Sequence, residues 1–315
     1  MAAQFDTNAC CELADSALDD LDLVRKRSDG TFIARRASDS AKFVLRRIEG
    51  EDGELRRLDA VASLRHPNIH AIEGIVRKPD HAIVVSAWVE GTTLSRILRA
   101  RRQKDIPMEE DEALAIFTQL CTALAYAHAD GVVHHAISAQ SVTICTDGRV
   151  VLRDWDANSG NLRCPAPERC ASVLADTFNP AHTTTSNSWA LGCVLFEMLT
   201  LEPLFDSATG ANLLRAVRHA PPPPIPEEYS ADAQGLVSAL LSKRRADRPS
   251  PTDVLNHPWL RDGLSVTVLA AASPRPSPGR TVAFAQEGED GAEGTERSSA
   301  ADALARTVET GSPQG

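Results

Sequence analysis

Along residues 21–48 the apolar positions fall into three short runs, LDLVRK, TFIARR and AKFVLRRI, separated by SDG and ASDS. Short runs punctuated by turn formers predict three strands. The period then changes. In ELRRLDAVASLR (54–65), Leu55, Leu58, Val61, Ala62 and Leu64 recur at near-helical spacing, which predicts one long helix. IHAIEGIVR (69–77) and HAIVVSAWV (81–89) read as two further strands. From about residue 92 the pattern turns helical. TTLSRILRARR opens with a threonine suited to an N-cap. EEDEALAIFTQLCTALAYAH is amphipathic and carries its acids in the first turn, where the helix dipole favours them. SWALGCVLFEMLT is apolar on nearly every side, as a fully buried helix is. Helices are also expected at 211–218, 231–243 and 250–257. PPPPIP (221–226) reads as a rigid connector or, alternatively, a polyproline ligand.

The two ends lack such periods. Residues 1–20 are Ala-rich and acidic, and beyond Gly263 the composition drifts to Ala, Ser, Pro, Gly and Glu. Both are expected to be disordered tails. Ser273, Ser277 and Ser312 each precede proline and are candidate phosphorylation sites. Hydrophobic residues make up 43% of the 315, ample for a core, and the formal net charge is -10. An acidic balance argues against a nucleic-acid partner, and RKR (25–27) and RRQK (101–104) read as solvated faces. The seven cysteines form no CxxC pair, so no zinc or redox framework is expected. Cys121 and Cys193 fall inside apolar helical patterns as small core residues, while Cys10-Cys11 reads as an exposed thiol pair or an acylation site. Ala at position 2 excludes N-myristoylation. Without an 18-residue apolar run or a signal peptide, no membrane span is expected, and a soluble cytoplasmic location is.

Seven phrases, taken in order, carry a family resemblance: LRHPNI (64–69), VEGTTL (89–94), GVVHHAISAQS (131–141), GRVVLRDWD (148–156), APE (166–168), SWALGCVLFEMLT (188–200) and RADRPSPTDVLNHPWL (245–260). They make the chain resemble the eukaryotic protein kinase family, of the serine/threonine type, over roughly residues 22–262. The resemblance implies an α+β, two-lobed protein kinase-like fold. A β-rich N-lobe with one long helix would occupy 21–90 and a larger α-helical C-lobe 91–263, with a nucleotide cleft between them. Tails at 1–20 and 264–315 would flank the two lobes.

Chemistry in that family rests on positioning and charge around a transferring phosphoryl group, so each expected charge can be checked. The H-R-D-x-x-x-x-N loop stands here as His134-His135-Ala136, with Ser141 at the Asn position. Ala136 replaces the proton-accepting Asp, Ser138 a phosphate-steadying Lys, and Ser141 a magnesium-binding amide. Arg46 stands at the third-strand lysine and Arg57 at the helix glutamate that should pair with it. Of the phosphate-covering glycines only Gly30 remains. Strand alignment places Phe32 and Val44 above the purine slot and Thr143 beneath it. Ser86 would be the gatekeeper and Ala87-Trp88-Val89 the hinge. Asp154 keeps the first position of D-F-G, either as a residual metal ligand or as an ion-pair partner of Arg46. The resemblance implies structural roles for His134, Asn187 and the Glu168–Arg248 pair. Asp154 to Glu168 is shorter than a usual activation segment, and 169–186 is longer, as a docking loop or as elaboration.

The resemblance therefore implies a degenerate member with no catalytic set intact: a pseudokinase acting as a scaffold or allosteric regulator of another signalling protein, such as an active kinase. No cofactor is expected. ATP and Mg enter only under the alternatives, a weakly active or unconventional serine/threonine kinase or a nucleotide-binding switch. Arg248→Ala is expected to destabilise the large lobe strongly and Ser141→Ala to leave it nearly unchanged.

Overall fold

Alternation of side chains between the two faces of a sheet, broken by irregularities in its two edge strands, builds the first lobe. The computed structural model describes residues 13–27, 30–49, 52–78, 81–155, 165–174, 183–205 and 210–261. Five strands, β1 (Leu21–Lys26), β2 (Phe32–Arg36), β3 (Lys42–Glu49), β4 (Ile72–Arg77) and β5 (His81–Ala87), form one antiparallel sheet in the order β1-β2-β3-β5-β4. Its outer face buries Phe32, Ala34, Phe43, Leu45, Ile83 and Val85. The opposite face carries Val44 and Arg46 on β3, in register with Ser86 and Val84 on β5. That inward face meets helix α1 (Asp52–Ser63), whose Leu58, Val61 and Ala62 share a core with Val84.

Residues 13–20, within the expected 1–20 tail, pack on this lobe. Asp15–Leu18 form one 3-10 turn, Leu18 is buried under the outer face, and the Leu13 N–H donates to Ile75 O at 2.8 Å. Leu13 lies against Gly74, where any Cβ would collide with the leucine side chain. One strand is shorter than expected. β4 starts at Ile72 because residues 68–70 turn away to pair with the second lobe. Leu152 N donates to Asn68 O (2.8 Å) and His70 N to Leu152 O (2.9 Å), around a parallel bridge between Ile69 and Leu152. The Asn68 amide holds this crossing by donating to Val150 O and Gln119 Oε1.

The second lobe is helical, with a small sheet of β6 (Gly91–Thr93), β7 (Val142–Cys145) and β8 (Val150–Leu152) on its cleft side. Helix α2 (Leu94–Lys104) follows β6 directly. The long α3 (Glu110–Ala129) buries Leu114, Phe117, Leu120, Cys121 and Leu124, and burial pushes the Cys121 thiol far above its ordinary pKa. α4 (Pro167–Leu174) precedes the central α5 (Thr184–Thr200), which is buried on nearly every side and starts with a Thr183–Ser186 capping box. α6 (Gly210–His219), α7 (Ala231–Leu240) and α8 (Pro251–Leu255) complete it. No helix among the described residues is long and apolar enough to cross a membrane. Cys10-Cys11, most of 156–182, and the C-terminal serines Ser273, Ser277 and Ser312 lie outside the described residues.

Candidate functional site

Where the inward face of the sheet meets the second lobe there is a small cleft, lined by Arg27, Thr31, Val44, Arg46, His70, Ser86, Arg153 and Asp154. It encloses about 330 Å³ of space, open solvent included. Across it, Arg46 Nη2 donates to Asp154 Oδ1 at 2.5 Å. Burial alone would raise the Asp154 pKa, but the charges of Arg46 and Arg153 and the Arg46 hydrogen bond outweigh it, so the carboxyl sits below its ordinary range. Asp154 adopts a left-handed backbone (φ 63°), which Asp tolerates better than most residues. Arg57 reaches the next residue along. Its Nη1 donates to Trp155 O at 3.2 Å, so both arginines hold the same short segment by different atoms.

Of the residues expected around the purine slot, Val44, Arg46, Ser86 and Asp154 line the cleft. Phe32 does not. It packs on the outer face opposite Leu45 and beneath Lys26, and its neighbour Thr31 faces inward instead. A one-residue change of position on a strand exchanges the two faces, which is why alignment by motif alone misplaced it. Gly30 (φ 81°) closes a tight turn between β1 and β2, with Gly30 N donating to Arg27 O and Arg27 N to Thr31 O. Arg27 also lines the cleft. Thr143 is buried within β7 between Thr93 and Val151, and Val89 is half-buried beyond the end of β5.

His70 was not foreseen. Its Nε2 lies 2.6 Å from the main-chain oxygen of Ala87. A carbonyl only accepts, so Nε2 carries the proton. The sole sequence signal was a histidine in an otherwise apolar run after HPNI.

The 131–141 loop is tied down from three sides. Asn187 on α5 accepts from His134 N (3.1 Å) and His128 Nε2 (2.9 Å) through Oδ1, and donates to His134 O (2.5 Å). His134 is buried; its Nδ1 accepts from Ala136 N (3.0 Å), which leaves Nε2 to donate to Arg153 O (2.7 Å). Its ring stands edge-on to Trp155 at 4.5 Å. The Ser141 hydroxyl accepts from Ser138 N (3.1 Å) and donates to Ser138 O (3.0 Å), so both its capacities are used inside the loop. Arg153 N and Nη2 close the far side, donating to Ser141 O and Gln140 O. Ala136 and Ser138 are half-buried on this frame. A methyl group at 136 neither accepts nor gives a proton.

Farther from the cleft, the fully buried Arg248 side chain forms a two-pronged pair with Glu168, Nη1 to Oε1 at 2.9 Å and Nη2 to Oε2 at 2.8 Å. Thr185 O and Ser242 O take its other donors, and Ser186 Oγ donates to Glu168. Burial would raise the Glu168 pKa, but the Arg248 hydrogen bonds prevail and lower it. Arg248 and Lys243 both lie over the Trp189 ring.

Residues 29–260 match the protein kinase domain family, and the chain belongs to it. Its relatives include serine/threonine-protein kinase Nek1 of Mus musculus, 27% identical over 300 residues that cover 84% of this chain and 24% of that protein. Nek3 of Mus musculus is 27% identical over 253 residues, covering 76% and 49%. Putative serine/threonine-protein kinase A of Trypanosoma brucei brucei is 26% identical over 253 residues, covering 77% and 58%. The chain spans between about a quarter and somewhat over half of these relatives. A crystal structure of Rad53 1–466 in complex with AMP-PNP aligns with a TM-score of 0.65 at 22% identity, covering 76% of this chain and 65% of that one. That likeness bears on the fold alone, which is the two-lobed kinase fold.

Proposed function

We propose that this kinase-family chain works without phosphoryl transfer, as a pseudokinase that presents a kinase-shaped surface to another signalling protein, an active kinase being the partner class in view. The observation that carries this reading is the Arg46–Asp154 pair. It engages the one carboxylate among the cleft's lining residues with one of the three arginines there, the one at the third-strand position. The oxygen donors also fit magnesium poorly. Mg²⁺ asks for near-octahedral oxygen ligands, yet Asp154 is ion-paired and the Ser141 hydroxyl is committed to the Ser138 peptide. Ala136 adds no base. Losing one charge-stabilising group commonly costs about 10²–10³ in rate, and such losses, though not additive, leave little when several coincide.

A second reading, a weakly active or unconventional serine/threonine kinase using Mg and ATP, is favoured by membership of the family and by relatives that carry kinase names. It keeps Asp154 as the metal ligand. Incorporation of labelled phosphate into a generic protein substrate by the full chain, measured beside Asp154→Ala, decides between them. The proposal expects the two to be equal at background; incorporation that the variant abolishes establishes the second reading.

A further inference from the structure

We propose that His70 closes the purine end of the cleft by holding the Ala87 carbonyl, and so determines which ligands the cleft refuses. This rests on the non-catalytic reading above and on Ala87-Trp88-Val89 as the strip of main chain that a flat base would meet. A purine edge pairs an exocyclic amine, which donates, with a ring nitrogen, which accepts. A strand end can satisfy it only with an available carbonyl and a nearby N–H. Ala87 is the last residue of β5, and its carbonyl already accepts from His70 Nε2 at 2.6 Å. A carbonyl has two lone pairs, so the exclusion is largely steric: the imidazole fills the space in front of the oxygen.

The ring is not a wandering rotamer on a loose loop. His70 N donates to Leu152 O, and the preceding Asn68 is fixed by bonds to Leu152, Val150 and Gln119. The main chain thus delivers the imidazole from the crossing between the lobes to the end of β5. Ser86 and Val44 line the same cleft, so small neighbours surround the plug and nothing bulkier is needed to fill the slot. An apolar residue at 70 could donate nothing to Ala87 and would leave its carbonyl without this bond.

The test uses adenosine, which lacks phosphates and is therefore indifferent to Arg46, Asp154 and magnesium. Adenosine is titrated calorimetrically into the full chain, its His70→Val variant and its His70→Gln variant. Wild type should show no saturable binding, His70→Val should gain binding at least tenfold tighter, and His70→Gln, which keeps a donor of similar reach, should stay closed. Saturable adenosine binding by wild type, or no gain in a folded His70→Val, overturns the role of His70. Should His70→Val not fold, the wild-type histidine is read by NMR. A slowly exchanging Nε2 proton supports the contact, and exchange at the rate of a solvent-exposed imidazole overturns it. Adenosine binding by wild type would leave the non-catalytic reading standing, since adenosine has no phosphate to transfer and engages neither Asp154 nor magnesium.

Discussion

Ser141 commits its hydroxyl to both polar groups of the Ser138 peptide, which makes it a buried structural residue whatever position it occupies in a family motif. Ser141→Ala removes both bonds and leaves the half-buried Ser138 N–H unpaired, a loss of about 1–3 kcal/mol. Scanning calorimetry should show a clear fall in Tm, roughly 2–4 °C per kcal/mol for a domain of this size. The near-neutral outcome expected from sequence therefore gives way to a measurable loss. Arg248→Ala should cost more, about 3–5 kcal/mol, because it strands Glu168 and empties a cation site over Trp189. Acid should act through the same carboxylates. Asp154 and Glu168 both have folded pKa values below their unfolded ones. The stability they contribute is complete above the ordinary carboxylate range and disappears as pH falls through the depressed folded values. Stability measured between neutral pH and roughly pH 2 should fall on the acid side, and Glu168→Gln, though less stable at neutral pH, should show a shallower fall.

Helix α5 meets α7 at a point where only glycine fits. A Cβ on Gly192 would lie 2.9 Å from Leu240 Cβ and from a Leu241 methyl. Gly192→Ala gains about 1 kcal/mol of helix propensity, but overpacking of this kind costs about 1–3 kcal/mol, and Leu240 Cβ cannot swing aside. Gly235 is exposed in α7, and a methyl added there would have nothing within 4 Å, so Gly235→Ala should stabilise by about 0.5–1 kcal/mol. Urea midpoints should move in opposite directions for the two variants. The elements themselves were largely legible, because β1 and the long α1, α3 and α5 announce their periods. Register and contact were less so. Phe32 and Thr31 differ by one place and by one whole face of the sheet. His70 reaches a main-chain oxygen 17 residues away, a partner without a residue signature, and does so only because Asn68 turns the chain off the expected strand. The Glu168–Arg248 pair was readable because both ends sit inside motifs.

Across the whole molecule one apolar core runs from α1 and β4 through α3 to α5 and α7, so the lobes are joined by packing as well as by the crossing at residues 68–70. The contacts that hold this frame, Asn187 to His134, Arg248 to Glu168 and Asn68 to β8, join separate elements of the chain. At the cleft the chain's own groups meet one another: the His70 ring on the Ala87 carbonyl and Arg46 on Asp154. The direct measurement is a calorimetric titration of the full chain with AMP-PNP in the presence of magnesium. The account predicts no saturable heat into the millimolar range. A one-to-one isotherm that vanishes when magnesium is withheld, or when Asp154 is changed to Ala, would contradict it.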